Sequence, residues 1–364
     1  MRIAVYTIAK NEADRVDRFM DACADADIVI VGDTGSTDGT ADKLQQRGAI
    51  VVPVHISPWR FDVARNTVLS LVPQQFDLCF ALDLDEYPRQ GWRDLIEPKW
   101  DSDIHTRLWF KYVHSFNSAG APATIGMKNF AHSRNGYIWK HRVHEDLYWQ
   151  PTTHKESVLM LPEMVVEHHQ QAKATRSSYI ELLKEECISE TVTKRHVFWL
   201  CRELRGLKEW RSLIATCQKF LSYKDNWYIE KSYCHCMYAE ALSNLKKPTE
   251  AVTQYMAACE AAPKEREPWF NLGKHFYNKQ QWGQAYGMFL QCIQLVHRGE
   301  HYLTNDTAWG HWPHYMAALC MLKLQSYSRA LMHAEDALKY NDDTGHIRDL
   351  IQLIPNTTPI AVNS

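Results

Sequence analysis

The chain has 364 residues, with 41 Lys+Arg against 43 Asp+Glu and a formal net charge of −2. That balance excludes a dedicated nucleic-acid coat but leaves room for a local basic groove. Hydrophobic residues make up 45% and charged residues 23%, which excludes a disordered or fibrous chain; at roughly 150 residues per domain the length predicts about two domains.

The opening MRIAVYTIAK has no charged start, long apolar run or small-residue cleavage site, so no signal peptide is expected. No run reaches the ~18 apolar residues of a membrane span. The ten cysteines are scattered without a CxxC, and Cys201, Cys217 and Cys292 lie inside apolar helical patterns, which predicts reduced, buried thiols in a cytoplasmic protein. Cys234, His235 and Cys236 offer zinc-type ligands, but no second pair follows at zinc spacing.

In chain order, Ile3 to Ala9 alternate as a strand, and Asp14 to Cys23 carry helical spacing. Ile28 to Val31 form a β-branched run ending at Gly32-Asp33. Thr40 to Arg47 suit a helix stopped by Gly48, and Ile50 to Ile56 give a third strand. Phe61 to Leu71 are helical in pattern, and the apolar run Leu78 to Leu82 ends in Asp83-Leu84-Asp85-Glu86. The rhythm predicts an α/β domain on a mainly parallel sheet over 1–175, with its ligand edge at the strand C-termini.

From about Arg176 amphipathic helices take over, predicting an all-α repeat domain over 176–345 and a loose tail over 346–364. Ala251 and Ala285 stand 34 residues apart, the period of a tetratricopeptide (TPR) helix pair. That register places Trp269, Leu272, Gly273, Phe276 and Phe289 at the motif's signature positions, and Tyr255, Ala258 and Pro263 in the unit before. Looser units follow from Trp199, Leu204, Trp210 and Phe220, and from Tyr315, Tyr327, Ala330, Ala334 and Ala337, with an insertion around His301 to His311. Three to four such pairs bury one continuous core.

Two carboxylates at i and i+2 after a buried strand, Asp83 and Asp85, call for a compensating partner. Mg²⁺ or Mn²⁺ takes one or two carboxylates and completes its shell with substrate phosphates, which points to a nucleoside diphosphate; helix capping is the alternative reading. The turn Gly32 to Thr40 is glycine-rich between strand and helix, a place where phosphates bind, but it lacks the Walker lysine and the dinucleotide spacing. Lys128, His132, Arg134, Lys140, His141 and Arg142 alternate with Phe130, Tyr137 and Trp139 without an acid between them. Such a stretch grips phosphate, stacks a sugar, tracks a nucleic-acid backbone or forms a solvated hairpin rim.

The succession TIAKNE, VGDTGSTDGT, PWRFDVARN and ALDLDEYP resembles the family 2 glycosyltransferases of GT-A fold over about residues 3 to 185. The later HRVHEDL and VVEHHQQAKATRSSYIELLKEE, with TPR-like helices after them, resemble a bacterial and phage branch. The resemblance implies a Rossmann-like GT-A domain and an inverting transfer of sugar from a nucleotide-sugar donor, UDP-linked. It places Thr7, Ala9, Glu12, Asp33, Arg65 and Asp83 at the nucleotide, with Asp62 and Asn66 supporting Arg65. The DxD motif, Asp83 and Asp85, carries the Mn²⁺ or Mg²⁺, with Asp85 as ligand and His168 or His169 as second ligand. Glu145 stands as the base, Asp146 second to it. Lys128, Arg134, Lys140, Arg142 and His144 remain for phosphate or acceptor, the acceptor being a saccharide, a peptide or a modified pyrimidine in DNA. The alternative is a TPR scaffold that binds a protein partner and carries a relic sugar-nucleotide domain.

Overall fold

The structure, a computed structural model, describes residues 1–116, 120–150, 155–169, 177–189, 192–299, 301–340 and 345–355. The expected tail falls partly outside them, at 356–364. The chain divides into two units, Met1–Val192 and Thr193–Ser364.

The first unit is built on an eight-stranded sheet. Strands β1 (Ile3–Ala9), β2 (Ile28–Asp33), β3 (Ile50–Pro53) and β4 (Leu78–Ala81) pair in parallel, in the order β3-β2-β1-β4. Helices α1 (Val16–Ala22), α2 (Thr40–Gln46) and α3 (Phe61–Leu71) fill the crossovers. Four further strands extend the sheet: β5 (Glu86–Pro88), β6 (Arg107–Phe116), β7 (Pro122–Ser133) and β10 (Val158–His168). Helix α4 (Trp92–Ile96) follows β5, and β8 (Tyr137–Lys140) with β9 (Asp146–Trp149) forms a separate antiparallel ribbon.

Beyond β4 the order continues β7-β6-β10-β5, and the β4/β7, β7/β6 and β10/β5 pairs are antiparallel. The sheet is therefore mixed rather than mainly parallel. The cause is local: β6 and β7 are consecutive long strands that pair as a hairpin, so no crossover helix separates them.

Alternation along β1 sorts the two faces. Ile3 and Val5 enter one buried cluster with Phe19, Leu44, Trp92 and Phe110. Ala4 and Tyr6 enter the other with Val68, Trp139 and Leu147. Helix α5 (Ser177–Ile188), assigned to the repeats by the sequence pattern, lies in the first unit.

The second unit is helical throughout its described residues. Four helix pairs follow one another: α6 (Lys194–Gly206) with α7 (Trp210–Leu221), α8 (Tyr228–Asn244) with α9 (Pro248–Ala261), α10 (Arg266–Asn278) with α11 (Trp282–Gln294), and, after the short α12 (Asp306–Trp309), α13 (Trp312–Lys323) with α14 (Tyr327–Ala337). Helix α15 (Gly345–Leu353) packs on α14.

One turn repeats within each pair. Lys208, Lys246, Gln280 and Gln325 adopt left-handed φ of 59, 60, 59 and 57°. The amide after each, from Glu209, Lys247, Gln281 and Ser326, donates to the carbonyl of Leu204, Leu242, Phe276 and Met321. This is the Schellman closure of a helix C-terminus. Five residues beyond each turn stands a fully buried Leu213, Ala251, Ala285 or Ala330, so the 34-residue spacing of the two alanines reflects equivalent places. Seven residues before each turn stands a small Cys201, Ala239, Gly273 or Ala318, where the helices of a pair approach. A Cβ on Gly273 would come within 2.6 Å of the Phe289 ring.

Candidate functional site

In the first unit the C-terminal ends of β1, β2 and β4 gather Glu12, Asp33 and the group Asp83, Asp85 and Glu86. Strand β5 carries Glu86 directly after the acidic turn and pairs it opposite His168 on β10. That register brings His168 Nε2 to 3.5 Å from Asp85 Oδ2. Arg15 Nη1 lies 3.7 Å from the same oxygen and 2.8 Å from Glu12 Oε2. His169 is directed elsewhere: its ring meets Arg18 and Glu167, and only its backbone amide reaches Asp85, donating to the Asp85 carbonyl at 2.9 Å.

Arg65, on α3, does not stand open to a ligand. Its Nε donates to Glu145 Oε1 at 2.6 Å and its Nη2 to Asp83 Oδ1 at 2.7 Å, with Trp139 beneath the guanidinium. Burial raises the pKa of Glu145, while Arg65 opposes that shift. Asp62 is held by Arg60, and Asn66 clamps both backbone groups of Trp139, fixing the β8 ribbon to α3.

Asp33 Oδ2 accepts from the amides of Gly35 and Ser36. Its Oδ1 is buried and without a hydrogen-bond partner. The Thr7 hydroxyl is buried against the Ile8 carbonyl, and the Ala9 carbonyl accepts from Thr34. Asp146 Oδ1 accepts from the Leu147 amide.

The basic stretch does not form one patch. Lys128 reaches Glu86 Oε1, which also accepts from Tyr112 Oη, and lies over the Tyr112 and Phe130 rings. Arg134 donates to the Val72 carbonyl behind α3. Lys140 lies over Tyr148, Arg142 pairs with Glu185, and His144 meets the Tyr179 hydroxyl. His132 is buried in a chain in which Trp139 Nε1 donates to Tyr6 Oη and Tyr6 Oη bonds His132 Nε2. Burial lowers its pKa to about 3. Arg15 and Tyr112 were not singled out from the sequence; the sole signal for Arg15 was its place one helical turn after Glu12.

In the second unit, equivalent positions gather a second polar site. Six residues before the repeated turn stand Arg202, Glu240 and Lys274, and Arg205 lies one turn on from Arg202. Arg205 Nε donates to Glu240 Oε2 at 2.7 Å and its Nη1 to the Tyr233 hydroxyl at 2.9 Å. Lys274 is exposed; the atoms packed around it lower its pKa by desolvation, against the pull of Glu240. Arg202 lies over the Trp199 ring at 4.3 Å.

The segment between α11 and α13 runs across the starts of the first helices. Tyr302 stacks on Trp199 and its hydroxyl bonds Glu230. Trp309 Nε1 donates to Glu267, and His301 meets Glu265. All ten cysteines are buried, and no described helix is long and apolar enough to cross a membrane.

No family model matches the chain, and no curated protein matches it. Solved structures do resemble it. MamA residues 41 to the end from Desulfovibrio magneticus RS-1 is 15% identical over 44% of this chain and 83% of that one, at a TM-score of 0.36. The apo form of RapI is 14% identical over 49% and 54%, at 0.41. The Cut9-Hcn1 hetero-tetramer of APC/C is 12% identical over 49% and 32%, at 0.38. These neighbours are tetratricopeptide-repeat proteins, with no glycosyltransferase among them.

The assignment to the family 2 glycosyltransferases is corrected accordingly. The enzyme reading and the sugar transfer fall with it. So do the UDP-linked donor and the saccharide, peptide or DNA acceptor. Physically, the order of four short motifs reports strand ends and turns, and such ends recur on sheets of many functions.

Proposed function

We propose that the chain is a protein-binding scaffold whose helical repeats hold an acidic segment of a partner protein. One observation carries this reading: Arg202, Glu240 and Lys274 occupy the same repeat position on α6, α8 and α10, with Arg205 joining them. Equivalent positions in stacked repeats lie along one face, which suits an extended ligand. Arg205 pairs with Glu240, Lys274 feels the same carboxylate and Arg202 lies over Trp199, so these positions carry an excess of positive charge for an anionic partner. The flanking Trp199 and Tyr233 supply the aromatic surface common at binding hot spots. The test is charge reversal in the full chain: Arg202→Glu with Lys274→Glu abolishes binding of a labelled Asp/Glu-rich peptide and leaves helicity unchanged. Equal binding by wild type and variant overturns the reading.

For the first unit we propose that Asp85 and His168 are the pair that would hold a divalent cation, with His169 outside it. The facing carboxylate and imidazole support this, and their donor types suit Mn²⁺ or Mg²⁺ with the carboxylate dominant. The ion would supply positive charge for an anionic ligand at this edge, and Arg15 would share Asp85 with it.

A further inference from the structure

We infer that His314, His333 and Asp336 form a site for a divalent transition ion of the zinc type between α13 and α14. His333 and Asp336 stand at i and i+3 on α14 and so share a face, while His314 comes from α13. His314 Nδ1 is 3.4 Å from His333 Nδ1 and 3.8 Å from Asp336 Oδ2. All three ligand atoms lie within 4.8 Å of one another.

Those separations match the ion. Two nitrogens bound tetrahedrally at ~2.0–2.1 Å from zinc stand about 3.4 Å apart, and a carboxylate oxygen takes a similar place. Two imidazoles and one carboxylate are also the donor set of zinc rather than of calcium or magnesium.

The surroundings support the ligands. Tyr286 Oη lies 3.1 Å from His333 Nε2, the partner that fixes a ligating imidazole through its other nitrogen. Lys339 Nζ holds Asp336 Oδ1 at 2.5 Å and leaves Oδ2 turned to the histidines. Burial lowers the pKa of His314 to about 4, so it is neutral at physiological pH, as a metal ligand must be. The Asp336 side chain is 29% exposed and that of His314 14%, which gives the ion an approach from solvent and leaves a fourth position for water or a partner's side chain.

The experiment is a Co²⁺ titration of the chelator-treated full chain, read by visible absorption and calorimetry. Wild type is expected to bind one equivalent with the intense bands of a tetrahedral site, separate from any equivalent without those bands at Asp85 and His168. His314→Ala and the near-isosteric Asp336→Asn should lose that equivalent or bind it at least tenfold more weakly, with helicity retained. Asp85→Ala should keep it. Absence of tetrahedral binding in wild type, or binding unchanged in Asp336→Asn, overturns the inference.

Discussion

Arg65 donates to Glu145 at 2.6 Å, and the same guanidinium bonds Asp83 at 2.7 Å. The two carboxylates are unequal, because the Glu145 side chain is 11% exposed and that of Asp83 45%. Removing the cation strands a buried charge in the first case and a solvated one in the second.

Arg65→Met is therefore expected to destabilise the first unit by about 3–5 kcal/mol, the cost of leaving one partner of a buried pair unpaired. Asp83→Asn should cost under about 1 kcal/mol, as exposed pairs do. Adding Glu145→Gln to Arg65→Met should recover part of the loss. Urea unfolding of the three variants decides it, and equal costs for Arg65→Met and Asp83→Asn would show that the burial difference has no energetic weight.

His132 sets a pH dependence. Its pKa is about 3 in the fold against 6.5 ordinarily, chiefly through desolvation. Below pH 6.5 the unfolded chain binds a proton that the folded chain refuses, so stability falls as pH drops from about 6.5 towards 3. Each pH unit inside that window costs about 1.4 kcal/mol from this residue. His114, lowered to about 4, acts in the same direction. Thermal midpoints recorded against pH should fall less steeply in His132→Gln than in wild type; identical slopes would remove His132 from the account.

At the acidic edge of the first unit, Mn²⁺ binding followed by electron paramagnetic resonance should be lost in Asp85→Ala and weakened at least tenfold in His168→Ala. His169→Ala should bind as wild type. A loss in His169→Ala equal to that in His168→Ala would reverse the choice between them.

Two glycines of the repeats should respond in opposite ways. Gly273→Ala puts a methyl 2.6 Å from the Phe289 ring and should cost about 1–3 kcal/mol through overpacking. Gly287, inside α11, has open space around its added carbon, so Gly287→Ala should gain about 0.5–1 kcal/mol in helix propensity. Thermal unfolding distinguishes them, and a stabilised Gly273→Ala would contradict the helix approach described at that position.

The sequence was most legible where one period rules. Strand β1 and helix α3 occupy the residues their alternation and helical spacing mark, and the 34-residue step from Ala251 to Ala285 locates two equivalent repeat turns. It was less legible where partners lie far apart in the chain. Strand β7, with Pro122, Gly126, Lys128 and Asn129, lacks a clean alternation because its pairing with β4 and β6 decides its state, so the mixed character of the sheet was hidden.

The site shows the same division. The acidic residues were visible at their strand ends, but the pairing of Glu86 with His168, which turns the His168 ring rather than the His169 ring towards Asp85, depends on register between β5 and β10. Lys128 and Arg134 read as one basic stretch, yet the bulge between Lys128 and Ala131 in β7 and the turn after the strand send them to Glu86 and to the Val72 carbonyl. Arg202, Glu240 and Lys274 became neighbours in meaning only once the repeated left-handed turn supplied a common origin for counting.

The scaffold reading meets its most direct test in fluorescence anisotropy of the full wild-type chain with a labelled Asp/Glu-rich peptide and with a neutral peptide of equal length, at low and high salt. The account predicts saturable binding of the acidic peptide alone, weakening as salt rises because exposed cations carry it. Failure to bind the acidic peptide, or equal binding of both peptides without salt dependence, would contradict it.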